Sequence, residues 1–343
     1  MSKKPSISII EVAQLAGVSK STVSRVVSDR GGSVSPEAEA KVLAAIEELG
    51  YIRNHIAVGL RTQRTWMVLI MVPDIANPFW AETARAAQDG LEAAGYSVVI
   101  GNTDWNEVRQ ERYLGLARSG RFDGLILNSV TNDLEAIRSM RIPTVLLGER
   151  SENPCLDTVG TDTLAATRRA LDYLWATGHR RIAIATSEYG SERFLSLRRR
   201  AYADFLAEKG LSLDPAIVFQ IRLSEEGGRE LARSILALPD WQRRIDSIFC
   251  GNDVLAIATI EALGEAGVIV GRDLSIIGLD DIPAAAHCRP ALTTVRKQRE
   301  KTGRAAAELL LARIADPERP FEKRLFPGEL VTRESVAERR ADQ

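Results

Sequence analysis

Two rhythms of apolar residues divide the chain. Over residues 9–50 they recur at helical spacing: Ile10, Val12, Ala13 and Leu15, then Val23, Val26 and Val27, then Val42, Leu43, Ile46 and Leu49. Such spacing lays each set along one face of a short helix. From Met67 onward the apolar residues instead come in unbroken runs: Met67–Val72, Ser97–Ile100, Gly124–Leu127, Thr144–Leu147, Arg181–Ala185, Ser247–Cys250 and Leu274–Ile277. Helical stretches such as Glu82–Ala94 and Thr163–Thr177 fall between them. Strands that are apolar throughout belong to parallel sheets covered on both faces. Their alternation with helices predicts a doubly wound α/β body.

The punctuation of the first region is specific. Gly17 can take a left-handed conformation and end the first helix, and Ser19 is a good N-cap for the second. Ser35-Pro36-Glu37 opens the third helix with a cap, a proline at its first position and an acid in its first turn. Two short helices joined by so tight a turn make either an ordinary helical hairpin or a helix-turn-helix, whose second helix enters the DNA major groove. In the second reading Lys20, Ser21, Ser24 and Arg25 face the groove, with Ser19 and Thr22 beside them. All carry donors that reach base edges or phosphates.

Charge sharpens the division. Net charge is −1, but residues 1–64 hold nine Lys/Arg against six Asp/Glu, and the rest hold 36 against 40. A mildly basic head on an acidic body suits a nucleic-acid head. Cys155, Cys250 and Cys288 lack C-x-x-C spacing and read as free thiols. The opening Met1-Ser2-Lys3-Lys4-Pro5 lacks the apolar stretch of a signal peptide, and no apolar run reaches membrane-spanning length, so a cytoplasmic location is expected.

Residues 11–27, EVAQLAGVSKSTVSRVV, resemble the opening of the lactose-repressor (LacI/GalR) family of bacterial transcription regulators. That family's wording is close to D-V-A-x-x-A-G-V-S-x-x-T-V-S-R-V-L; Glu11 here replaces the Asp and Val27 the Leu. The likeness continues through Val34-Ser35, Ala45–Tyr51, Asn54, Ala57 and Leu60-Arg61-Thr62, and then along nearly the whole chain. It implies a head over residues 1–52, a hinge over 53–65, and an effector-binding and dimerisation core over 66–343. The core would have two periplasmic-binding-protein-like subdomains, one about 66–161 and 295–325, the other about 162–294 and 326–338. The chain would cross between them near Val159–Asp162, Leu292–Arg296 and Arg324–Pro327.

By the same resemblance the hinge orders in the minor groove of operator DNA. Leu60 matches the residue that wedges between base pairs, and Asn54 and Ala57 match its neighbours. Arg53 stands where the family often has Pro. Gly59 lies inside the hinge helix, at a cost of up to ~1 kcal/mol against Ala.

In open α/β sheets ligands bind beyond the C-terminal ends of the strands. Those ends are polar here: Pro73–Trp80, Asn102-Thr103-Asp104, Gly251-Asn252-Asp253 and Gly278–Asp281. Each Asn or Asp is either a cap for the following helix or part of a ligand site, and the convergence of all four favours a site. The resemblance names Phe79, Trp80, Arg198, Asn252 and Asp280 as effector contacts, with Asp104 and Leu223 beside them. An aromatic face opposite hydrogen-bonding groups suits a sugar or sugar derivative.

Two other functions compete. An enzyme has little to work with: His55 lies in the hinge, His179 in a helix-to-strand turn, and His287 is the third and last histidine. No Walker, G-x-S-x-G, H-E-x-x-H or G-x-G-x-x-G pattern is present. A sugar-binding protein without a regulatory role would fit the core but not the head. The expectation is therefore a homodimeric repressor with operator DNA and a small-molecule effector as partners, without a cofactor or metal. Val336–Gln343 lacks an apolar heptad, so a C-terminal coiled coil that pairs dimers is not expected.

Overall fold

The computed structural model describes residues 7–27, 34–51, 64–131, 133–148, 155–187 and 197–339. They form two compact units that divide between Thr65 and Trp66.

The first unit holds three helices, α1 (Ile9–Ala16), α2 (Lys20–Val27) and α3 (Pro36–Leu49). Its small core is Val12, Ala13, Ala16, Val23, Val42 and Ala45. Three residues assigned inward from spacing point outward: Ile10, Leu15 and Leu43 are 52%, 46% and 53% exposed. At 100° per residue, Ile10 and Leu15 stand roughly 110° from the Val12–Ala13–Ala16 stripe, and Leu43 stands about as far from the stripe of α3. The small alanines, not the larger side chains, mark the close helix contacts.

In chain order the second unit runs β1 (Met67–Val72), α4 (Pro78–Ala93), β2 (Ser97–Asn102), α5 (Glu107–Leu116), β3 (Gly124–Leu127), α6 (Leu134–Ser139), β4 (Thr144–Leu147), β5 (Asp157–Thr161), α7 (Thr163–Ala176), β6 (Ile182–Thr186), α8 (Leu197–Glu208), β7 (Val218–Gln220), α9 (Glu225–Ala237), α10 (Trp241–Arg244), β8 (Ser247–Cys250), α11 (Asp253–Glu265), β9 (Ser275–Asp280), β10 (Thr293–Arg296), α12 (Arg299–Ala315), β11 (Lys323–Phe326) and β12 (Glu329–Val331). The strands form two six-stranded sheets, ordered β11-β5-β4-β3-β1-β2 and β12-β10-β9-β8-β6-β7. All neighbours are parallel except β12, which runs antiparallel to β10. This is the expected doubly wound architecture, with one edge strand reversed.

The chain passes from the first sheet to the second between β5 and α7. It returns between β10 and α12, and leaves again between β11 and β12. Helix α12 closes the first sheet: Ala305, Ala306, Ala307, Leu309 and Leu310 pack with Val68, Ile70, Val72 and Ile126. Helix α4 begins one turn before the sequence-based expectation because Asn77 caps it, its Oδ1 accepting from Phe79 N at 2.9 Å, with Pro78 in the first turn. No helix among the described residues is long and apolar enough to cross a membrane.

Candidate functional site

In the head, local chemistry holds the helix pair in shape. Ser8 and Glu11 form a reciprocal cap on α1: Ser8 N donates to Glu11 Oε2 at 2.6 Å and Glu11 N to Ser8 Oγ at 3.4 Å. Ser8 N and Ser8 Oγ, the latter at 2.8 Å, both donate to Glu11 Oε2 and hold the Glu11 carboxyl pKa below its ordinary value. Gly17 ends the helix at φ 64°, ψ 32°, the left-handed turn that the sequence suggested. Ser19 caps α2 by accepting from Thr22 N at 3.1 Å, and its hydroxyl lies 2.7 Å from that of Ser21 and 2.9 Å from that of Thr22. Ser19 is therefore first a structural residue. Lys20, Ser21 and Arg25 are exposed on α2, whereas Thr22 and Ser24 are half-buried. Asn54, Ala57 and Leu60 lie outside the described residues.

In the core, the C-terminal ends of β1, β9 and β10 bring three groups together. The Phe79 ring, at the start of α4, lies 3.9 Å from the Nζ of Lys297. That ammonium is 2.9 Å from Asp280 Oδ1, with side-chain exposures of 11% and 3%. Burial presses the lysine pKa down, and the charge of Asp280 opposes the shift. Arg198, in the first turn of α8, feels the same two influences. Three arginines stand in a row here, and Arg198 is distinguished by the charge of Asp280 acting on it and by its buried Nε. Arg200 is exposed and lies 4.0 Å from Asp204. Tyr202 fixes the register of α8 by donating its hydroxyl to Ile182 O at 2.7 Å.

The paired acids diverge. Asp280 turns to Lys297, while Asp281 holds Arg296 Nε at 2.7 Å and Arg333 Nη2 at 2.7 Å. Both have positive φ, 132° and 57°. Such backbone costs of order 1–3 kcal/mol per residue and persists where its surroundings hold it; here three cations do so. Behind them Asp253 is buried, accepting from Thr294 Oγ1 at 2.5 Å and Ile282 N at 2.9 Å. Desolvation, with the charge of Asp280 second, pushes its carboxyl up to about 7.

The remaining candidates are placed differently. Asn252 spends its amide locally: Oδ1 caps α11 at Leu255 N, 2.9 Å, and Nδ2 donates to Leu223 O at 3.1 Å. Leu223 packs into the core beneath the second sheet. Trp80 meets Phe79 edge-on at 4.9 Å and packs against the core of the first sheet. Asp104 is half-exposed, 3.3 Å from Arg109 and 4.0 Å from Arg222. His179 is buried, its Nε2 2.8 Å from Ser275 Oγ, a structural position.

Lys297 was not among the residues expected from sequence. It sits in R-K-Q-R-E-K, which reads as a solvated face. Its one signal was its position just past Leu292–Arg296, where the chain changes sheets. Arg299 follows, pairing with Glu82 of α4 and donating Nη1 to Asp281 O at 2.8 Å, so it too ties the two sheets together.

Comparison with known proteins finds two family matches: residues 8–54 to "Bacterial regulatory proteins, lacI family" and residues 171–336 to a periplasmic binding protein-like domain. The HTH-type transcriptional repressor PurR of Photobacterium profundum is 31% identical over 334 residues, covering 96% of this chain and 98% of that one. The ribose operon repressor of Escherichia coli (strain K12) is 32% identical over 311 residues, covering 90% and 93%. Among solved structures, a complex of the transcriptional regulator CelR with cellobiose is 28% identical with a TM-score of 0.70, covering 96% and 99%.

Proposed function

The chain belongs to the lacI family of bacterial regulatory proteins, and from that premise we propose a homodimeric, cytoplasmic repressor whose grip on operator DNA is set by a sugar-like effector in the cleft of the core. The observation that carries the reading is the pairing, in one chain, of a capped helix-turn-helix with a two-sheet core whose strand ends gather Phe79, Arg198, Asp280 and Lys297. Relatives that match both halves are repressors by name.

The head reads one half of a two-fold operator through Lys20, Ser21 and Arg25, and a second copy reads the other half. Phe79 supplies an apolar wall beside the ligand. Asp280 and Arg198 take its polar groups. A ligand shifts the regulator only if it binds the DNA-competent and incompetent core states with different affinity. The three passages between the sheets let the subdomains turn against each other, and residues 53–65 carry that turn to the head. Among the described residues the site offers cations and a carboxylate suited to binding, with no base aligned with a nucleophile.

The test is selection of binding sequences from random DNA with the full-length protein, followed by titration of the bound complex with pentoses, hexoses and disaccharides. Enrichment of a two-fold symmetric sequence and a sugar-dependent change in its affinity are expected. Absence of sequence enrichment overturns the regulator reading; enrichment with no response to any sugar overturns the effector reading.

A further inference from the structure

Among the described residues, the cleft holds more buried positive charge than it neutralises. Lys297 pairs with Asp280 at 2.9 Å, and the charge of the same carboxylate also acts on Arg198. The nearby acids among the described residues are committed elsewhere. Asp281 holds Arg296 and Arg333, Glu82 holds Arg299, and Asp104 lies 3.3 Å from Arg109. Asp253 is pushed up to about 7 and so carries only part of a charge at neutral pH. Arg198 Nε, meanwhile, is buried without a hydrogen-bond partner among the described residues.

A buried charge is costly unless it is paired and hydrogen-bonded. A neutral sugar would leave one cation stranded against the Phe79 ring and an arginine donor unused. An acid group would meet both needs. The guanidinium offers a planar fork matched to two oxygens. The ammonium has three donors, of which one lies on Asp280.

We propose that the effector is an acidic sugar derivative, its carboxylate or phosphate seated between Arg198 and Lys297 and its hydroxyls on Asp280. This rests on the reading of the cleft as the effector site. Lys297 is then the residue that selects acids over neutral sugars. Phe79 keeps its ammonium in place by a cation–π contact.

The experiment is calorimetric titration of the full-length protein with matched sets: ribose and ribose 5-phosphate, and glucose, glucuronate and glucose 6-phosphate, extended to other pentoses, hexoses and disaccharides with their acids and phosphate esters. At least one acid should bind tenfold or more tighter than its neutral parent. Whether that acid is a carboxylate or a phosphate ester distinguishes the two sources. Lys297→Gln should lower the acid's affinity at least tenfold more than it lowers the neutral parent's, so the preference collapses. The comparison among ligands on the unaltered protein stands whether or not the variant folds. Neutral sugars binding as tightly as their acids overturns the proposal and leaves the effector reading intact, as does an unchanged preference in Lys297→Gln. No binding by any member of the sets, neutral or acidic, overturns both.

Discussion

Arg313 grips Asp157 with two parallel bonds, Nε to Oδ2 at 2.8 Å and Nη2 to Oδ1 at 3.1 Å, and neither side chain is more than 6% exposed. The pair joins the last turn of α12 to the start of β5. Asp157 also accepts from Glu322 N at 2.8 Å, and Arg313 donates to the carbonyls of Pro317 and Pro320 at 3.0 and 3.1 Å. One buried pair thus sets the loop that leads into β11. Removing one partner leaves the other charged and buried, which typically costs about 3–5 kcal/mol. Arg313→Met should lower core stability by that amount in urea unfolding. The double variant Asp157→Leu/Arg313→Met should recover most of it; a double variant as weak as the single one would mean that loop anchoring, not the stranded charge, sets the cost.

Helices α4 and α12 touch where both are smallest. A Cβ on Gly303 would stand 2.3 Å from Thr83 O and 2.7 Å from Ala86 Cβ, whereas one on Gly90 would meet only Ala307 Cβ, at 3.0 Å. Gly303→Ala must therefore push the helices apart, at about 1–3 kcal/mol. Gly90→Ala should be near neutral, since a helix-propensity gain of up to ~1 kcal/mol offsets a mild clash. Thermal unfolding of both variants checks the ranking, and equal melting temperatures would contradict it.

Asp253 gives the core a dependence on pH. The unfolded chain releases this proton near pH ~4, whereas the folded chain holds it up to about 7. Between those values the folded state binds more protons, so its stability falls as pH rises, then levels off. The slope reaches at most about 1.4 kcal/mol per pH unit. His179 works in the opposite sense: burial lowers its pKa below the ordinary 6.5, so acid removes stability there. Comparing the parent with Asp253→Asn from about pH 4 to about pH 8 separates the two. The parent's advantage should shrink as pH rises toward about 7; a constant difference would show that Asp253 does not titrate in that window.

Operator preference should lie with Lys20 and Ser21, at the exposed start of α2. Replacing either should cost about 1–3 kcal/mol for every base edge it reads and relax preference at particular base pairs. Ser19→Ala should instead weaken all operators alike, because its hydroxyl caps the helix. Anisotropy titrations against single-base operator variants check both. If changing Lys20 and Ser21 together leaves the ranking of variants untouched, other residues read the bases.

The central strands were legible from the chain alone. Met67–Val72, Gly124–Leu127, Thr144–Leu147 and Ser247–Cys250 match residue for residue, because strands in the middle of a covered sheet must be apolar on both faces. Val218–Gln220, Lys323–Phe326 and Glu329–Val331 were missed as strands: they lie at sheet edges, are short and need few apolar residues. Asp157–Thr161 and Thr293–Arg296 were foreseen only as crossings, for their buried threonines carry no apolar rhythm. Among the cleft residues, Asp280 and Phe79 stood out because polar and aromatic residues at strand ends are informative. Lys297 did not, because a lysine among charged neighbours shows its partner only when the fold brings Asp280, 17 residues earlier, beside it.

The return of the chain to its first sheet has a consequence for synthesis. Strands β1 to β5 are complete once Thr161 has been made, yet the alanine and leucine face that covers them belongs to α12, and their edge is finished only by β11. The whole second sheet up to β10 is translated in between. A nascent chain therefore carries an uncovered apolar surface through more than a hundred further residues, the kind of exposure that invites chaperones and misassembly. Growth temperature and translation speed should thus affect the yield of this protein.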